Sequence, residues 1–162
     1  MADNLCETFL QNCPLDSEYA FRECRASDNI LSKFAPLDWH RIVSWIHSQE
    51  ELTKYTQELP YSMAALVYAA KKTDDPLNFL ILLRDHPEDH NIISCHGGSW
   101  SSPVISFRAG RQLIQTLLRC GFKVRTSINI KNRAAQRFVE TLGMKKTTRK
   151  DDVFWYRLPL PS

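Results

Sequence analysis

Residues 128–144 read Ile-Asn-Ile-Lys-Asn-Arg-Ala-Ala-Gln-Arg-Phe-Val-Glu-Thr-Leu-Gly-Met, and this stretch decides the fold. An alternating strand runs into Asn132, a good helix N-cap because its side-chain oxygen accepts from an orphan amide of the first turn. Ala135, Phe138, Val139 and Leu142 follow at i, i+3, i+4 and i+7, which is one apolar helix face. Gly143 stands where a helix-ending residue must turn left-handed. The segment therefore reads as a strand–helix–strand unit of an α/β domain.

Working upstream, Ser102 and Pro103 make an N-cap and first position for a preceding helix. Leu113, Ile114, Leu117 and Leu118 form its stripe, and Gly121 ends it. A strand over Val124–Ile130 joins it to the unit above. Earlier strands are expected over Glu18–Cys24, Met63–Ala70, Leu77–Leu83 and Asn91–His96, with Gly97–Pro103 as a loop. A helix is expected over Asp38–Glu51, with Trp39, Ile42, Val43 and Ile46 on one face. The first 15 residues suit a short helix ending near Pro14. Downstream, Thr147–Arg149 and Val153–Leu158 close the chain around a turn at Lys150–Asp152. The order β, α, α, β, β, β, α, β, α, β, β implies a mixed, mostly antiparallel sheet with helices on both faces, an α/β (α+β) fold. Residues 1–162 are expected to form one domain, with 1–17 as an N-terminal extension.

Composition narrows the class. The 162 residues are 43% hydrophobic and 24% charged, as in an ordinary globular protein. No apolar run reaches membrane-spanning length, so no membrane partner is expected. The opening Met-Ala-Asp-Asn-Leu-Cys-Glu lacks the basic start and apolar core of a signal peptide. Five cysteines with no Cys-x-x-Cys suit reduced thiols, and the expected location is cytoplasmic. His86, His90, Cys95 and His96 match no compact zinc spacing, so no metal is expected. Charge is uneven. Residues 1–100 hold 8 Lys/Arg against 15 Asp/Glu, and residues 101–162 hold 13 against 3. The basic half suits a phosphate-bearing ligand or nucleic acid, or is simply a solvated face. No aromatic-interleaved basic stripe supports nucleic acid, which ranks last.

Three places together resemble the GNAT superfamily of N-acetyltransferases. Arg22 to Asp28 looks like that family's Arg-x-x-x-x-x-Asp, leading from a first strand into a helix. The helix ending at Gly121 fits its cofactor-side helix. Asn132-x-x-Ala135-x-x-Phe138-Val139-Glu140-x-x-Gly143-Met144 is similar to its Asn-x-x-Ala-x-x-Leu-Tyr-Glu-x-x-Gly-Phe. The resemblance implies a GNAT-like sheet of about seven strands and acetyl transfer from acetyl-CoA to an amine, on a small molecule or a protein. It implies a splayed pair of central strands for the cofactor arm, and loop amides before the central helix for the pyrophosphate. It leaves a homodimer open.

Carried over, the cofactor-binding candidates are Trp100, Ser101, Ser102, Arg108, Arg111 and Asn132. His96 is the candidate catalytic base, being the titratable side chain in the matching strand. Two departures stand out. The family's loop is Arg-x-x-Gly-x-Gly/Ala, whereas Ser101–Ser106 holds no glycine, and Pro103 lacks an amide donor. The tyrosine that often serves as acid is Val139. These departures support a second expectation, a GNAT-like binding or assembly module without catalysis, of the kind seen in some phage-associated proteins.

Overall fold

Leu5–Asn12 forms α1, capped by the Asn4 side chain, which accepts from the Glu7 amide at 3.2 Å. The computed structural model describes residues 4–24, 28, 63–86, 88–99 and 101–158. The helix expected at Asp38–Glu51 lies outside them, as does Trp100.

Seven strands and three helices occur among the described residues. The strands are β1 (Tyr19–Glu23), β2 (Met63–Ala70), β3 (Pro76–Asp85), β4 (Ile92–Ser99), β5 (Lys123–Asn129), β6 (Lys145–Lys150) and β7 (Val153–Leu158). The other helices are α2 (Pro103–Arg119) and α3 (Arg133–Thr141). The sheet order is β1-β2-β3-β4-β5-β7-β6. Every pairing is antiparallel except β4 with β5, which α2 connects as a crossover.

Side-chain alternation assigns the two faces. Phe21, Leu66, Leu83, Ile93 and Val124 point to one face and meet Phe9 of α1 and Leu117 of α2 in a single core. Phe9 and Phe21 meet edge-on with ring centroids 5.4 Å apart. All three described helices pack on this face. β2 is buried along nearly its whole length, as its unbroken Met-Ala-Ala-Leu-Val-Tyr-Ala run requires of a central strand. β6 is exposed at every position and forms the edge, where its four basic residues guard against strand addition.

The helix ends follow the sequence closely. Gly121 (φ +88°) and Gly143 (φ +95°) both turn left-handed. Behind each, two amides bond back into the helix: Gly143 to Glu140 and Met144 to Val139, Gly121 to Leu118 and Phe122 to Leu117. That pattern satisfies carbonyls which the last turn would otherwise leave open. The Arg22–Asp28 spacing becomes a bidentate ion pair, with bonds of 3.0 and 2.8 Å.

Two boundaries differ from the sequence reading. β4 does not stop at His96 but continues through Gly97, Gly98 and Ser99, which pair with Ile81, Leu80 and Phe79. Glycine disfavours strands in isolation, but an available partner strand overrides that preference. The expected Gly97–Pro103 loop thus shrinks to the few residues after Ser99. β6 is also longer than Thr147–Arg149.

Candidate functional site: the cleft between the fourth and fifth strands

β4 and β5 pair only over Ile92–Ser94 against Lys123–Arg125. Beyond that point they part. Thr126 stands at the parting, and its hydroxyl donates to the Cys95 carbonyl at 2.7 Å, replacing a ladder bond with a side-chain bond. Past Cys95, no strand among the described residues lies beside the β5-facing edge of β4. The backbone groups along that edge are obligate hydrogen-bonders and offer a ligand donors and acceptors.

A cavity of about 610 Å³ fills the gap. Its walls are β4 from Cys95 to Ser99, β5 at Val124 and from Thr126 to Asn129, the inner side of α2, and α3. Gly110 brings the two helices together: a Cβ there would lie 2.8 Å from Leu142 Cδ1 and 2.9 Å from Phe138 Cζ. The apolar face of α3, made of Ala135, Phe138, Val139 and Leu142, lines the cavity and is only half-buried. No residue of α3 is fully buried. The stripe packs against the margin of the core and also borders a space of ligand size.

At the mouth, Ser102 caps α2 by accepting from the Ile105 amide at 3.3 Å. Ser99 and Ser106 join hydroxyl to hydroxyl across the start of the helix, and Ser99 Oγ also accepts from the Ser101 amide at 3.2 Å. At the far end, Asn132 caps α3, accepting from the Ala135 amide at 3.1 Å, and also lines the cavity.

The sequence matches no protein-family profile and no curated protein. Many solved structures share the architecture. A spermidine N-acetyltransferase chimera built from Vibrio cholerae and human-type sequences superposes with a TM-score of 0.61 at 14% identity, covering 87% of this chain and 95% of that one. A probable GNAT-family acetyltransferase from Chromobacterium violaceum gives 0.62 at 15%, covering 89% and 84%. A putative acetyltransferase from Salmonella typhimurium, solved with its cofactor acetyl-CoA, gives 0.54 at 14%, covering 86% and 92%. The fold is that of the GNAT superfamily.

The sequence-derived candidates divide within this GNAT fold. His96, Ser101 and Asn132 all line the cleft. Ser102 stands at its mouth as the α2 cap. Arg108 and Arg111 do not line it. Arg108 grips Asp16 through two bonds of 3.0 Å and stacks 4.9 Å from the Tyr19 ring, fastening α2 to the turn after α1. Arg111 is exposed, with its guanidinium 5.8 Å from the Phe107 ring. An exposed helix face explains Arg111, and a half-buried carboxylate in the N-terminal segment, Asp16, explains Arg108. The three histidines also separate: His86 Nδ1 accepts from the Glu88 amide, His90 Nδ1 lies 2.8 Å from Asp85, and His96 stands on the cleft wall.

Tyr156 is fully buried, and its hydroxyl donates to Glu140 at 3.1 Å, tying β7 to α3. Burial first, and that bond second, push its pKa up to about 12, so it is packing and not a proton donor in the cleft. All five cysteines are free thiols, and burial alone raises Cys95 to about 12, which leaves it a protonated wall residue. Sequence reasoning passed over Thr126 and Ser106, and weighed Gly110 only as a phosphate-loop glycine, not as the place where the two helices meet. Thr126 and Ser106 did leave a signal: each is a lone hydroxyl on an otherwise apolar, inward-facing position.

Proposed function

We propose that this chain is an acetyl-CoA-dependent N-acetyltransferase acting on an amine by direct attack. The observation that carries the reading is the parted β4–β5 pair, with an unladdered strand edge along a cavity of about 610 Å³. A linear, amide-containing arm fits this geometry, since the open β4 edge bonds its amides and the apolar α3 face covers its methylenes. The GNAT neighbours, one of them solved with acetyl-CoA, support the same assignment. Bound there, acetyl-CoA supplies an activated thioester.

Each wall has a role in this reading. Asn132 and the β4 edge hold the arm. Backbone amides along β4 hold the thioester oxygen and favour developing negative charge. His96 takes the proton from the incoming ammonium, so that the neutral amine attacks. The diphosphate end is the weakest part of the fit. Pro103 has no N–H, and the Ile105 amide is already bonded to Ser102. Ser101 and Ser102 are the described groups left to receive phosphate; Trp100 completes the proposed set.

A second reading has its own observation. The half-buried cavity residue at the position of the family's tyrosine is Val139, which has no proton to give a leaving thiolate. A GNAT-fold module that binds a ligand or partner without turnover accounts for that and for the poor phosphate cradle.

Thermal unfolding with acetyl-CoA and CoA tests binding, because a ligand of the folded state raises the midpoint by mass action. No rise at millimolar concentration rules out the enzyme reading. Given binding, thiol release across a panel of amines separates the two readings. His96→Ala is expected to lower kcat by about 100-fold or more, the usual contribution of a general base. An unchanged kcat removes His96 from the mechanism.

A further inference from the structure

The sheet face opposite α2 and α3 carries charge that the reading above leaves unused. Arg125 of β5 and Arg157 of β7 are direct cross-strand partners, so both side chains leave the sheet on the same side. Lys145 of β6 is the next partner in that row. Arg125 Nε donates to Ser94 Oγ at 3.0 Å, and its guanidinium stacks 4.6 Å from the Trp155 ring. Ser94 is the last β4 residue that pairs with β5. Arg125 therefore stands where the two strands begin to part, just outside the cavity lining, with Arg157 beside it on the next strand.

Among the described residues, no carboxylate makes an ion pair with Arg125 or Arg157. Burial first and the Arg157 charge second hold the Arg125 pKa below its ordinary value. Like charges directly opposite on neighbouring strands destabilise a sheet unless an anion bridges them. Alternation along β4 puts His96 on the same face as Ser94, so the cations and the proposed base share one side. The cavity is lined from both faces, by Cys95 and Thr126 on one and His96 and Ser127 on the other. Among the described residues, the cavity thus meets side chains of the arginine side as well.

We propose that the acceptor is a small amine that also bears an anionic group, a carboxylate or a phosphate, which Arg125 and Arg157 hold while its amine faces His96. This rests on the acetyl-transfer reading. The Trp155 ring, on which the Arg125 guanidinium stacks, holds that cation in place for the anionic group. A polyamine would meet like charge at the same place and is selected against.

The test uses the full chain saturated with CoA and four probes: β-alanine, phosphoethanolamine, ethanolamine and spermidine. An anionic amine is expected to raise the unfolding midpoint further, and the better of β-alanine and phosphoethanolamine identifies the group. With acetyl-CoA, Arg125→Gln and Arg157→Gln are each expected to raise KM for that amine by about tenfold or more, with a smaller change in kcat, as loss of a charge-assisted bond predicts. Arg157→Gln keeps the Arg125–Ser94 bond and serves where Arg125→Gln folds poorly. Arg125→Gln is expected to keep the midpoint rise given by CoA alone. Three results overturn the proposal: equal or larger shifts with ethanolamine or spermidine, no shift with either anionic amine, or loss of the CoA shift in Arg125→Gln. The last would move the arginine to the donor side. Failure of CoA to stabilise the parent chain overturns the transfer reading itself and is read separately.

Discussion

The helices α2 and α3 end alike and are buried differently. Each closes with a left-handed glycine, at Gly121 or Gly143, and the same pair of backward amide bonds. Yet α2 buries eight residues, among them Leu117 with no exposure, while α3 buries none completely. α2 is a wall of the core. α3 has an equally regular apolar stripe, but that stripe fronts the cavity. An amphipathic pattern therefore tells which side of a helix avoids water, without telling whether protein or ligand lies there.

The largest expected effect breaks the comparison at its strongest point. Leu117→Ala on α2 should cost about 2–5 kcal/mol, measured by denaturant unfolding, because a close-packed site collapses only partly around the void. A cost below about 1 kcal/mol would mean that α2 is not core.

Asp16 is next, since it fixes where α2 meets the N-terminal segment. Its carboxylate accepts the Glu18 and Tyr19 amides at 2.8 and 3.0 Å as well as the Arg108 bonds. Burial raises its pKa, but the two amides and Arg108 outweigh that, so the net shift is downward from 3.8. A carboxyl with a depressed folded-state pKa stabilises above its unfolded value and loses that contribution as pH falls through the folded one. Asp16→Asn should cost about 1–3 kcal/mol at neutral pH, and the gap to the parent should shrink as the pH is lowered below 3.8. A pH-independent gap would assign the cost to packing.

The two helix ends should respond equally. Gly121→Ala and Gly143→Ala each force an L side chain into a left-handed backbone, at a cost of about 1–2 kcal/mol. Nothing lies within 4 Å of a Cβ at either site, so the backbone term stands alone. Unequal costs would show that the matching ends are not equivalent in strain.

The smallest stability effect is expected on α3. Phe138→Ala should cost about 1 kcal/mol in the free protein, below the roughly 3–5 typical of a fully buried phenylalanine, because its ring is only half-buried at the margin of the core and borders the cavity. The midpoint rise given by CoA should fall in the same variant. A full core penalty with an unchanged CoA response would make α3 ordinary core and erase the contrast with α2.

Much of the fold was legible because its signals are local. Asn132, the i, i+3, i+4, i+7 stripe and Gly143 act within a few residues, and α3 formed where they put it. Part of the cleft was legible for the same reason: His96 follows an apolar strand and Asn132 opens a helix, so both had assigned positions before any packing was known. Arg108 was not legible. Its partner Asp16 is 92 residues away, and no nearby residue hints that its charge is taken. Gly97 and Gly98 read as loop because glycine lacks the side chain that favours a strand, and only the neighbouring β3 draws them into the sheet.

Among the described residues, the sequence by itself determined where most helices and strands lie, how the helices begin and end, and which side of each is apolar. These follow from backbone sterics, short-range capping bonds and the periods of 3.6 and 2. Tertiary structure alone decided where β4 and β5 part, that the α3 stripe borders a cavity, and that Arg125 and Arg157 stand side by side with, among the described residues, no carboxylate in an ion pair with either. Those features depend on which distant segments become neighbours, and strand pairing and packing settle that only once the whole sheet has assembled.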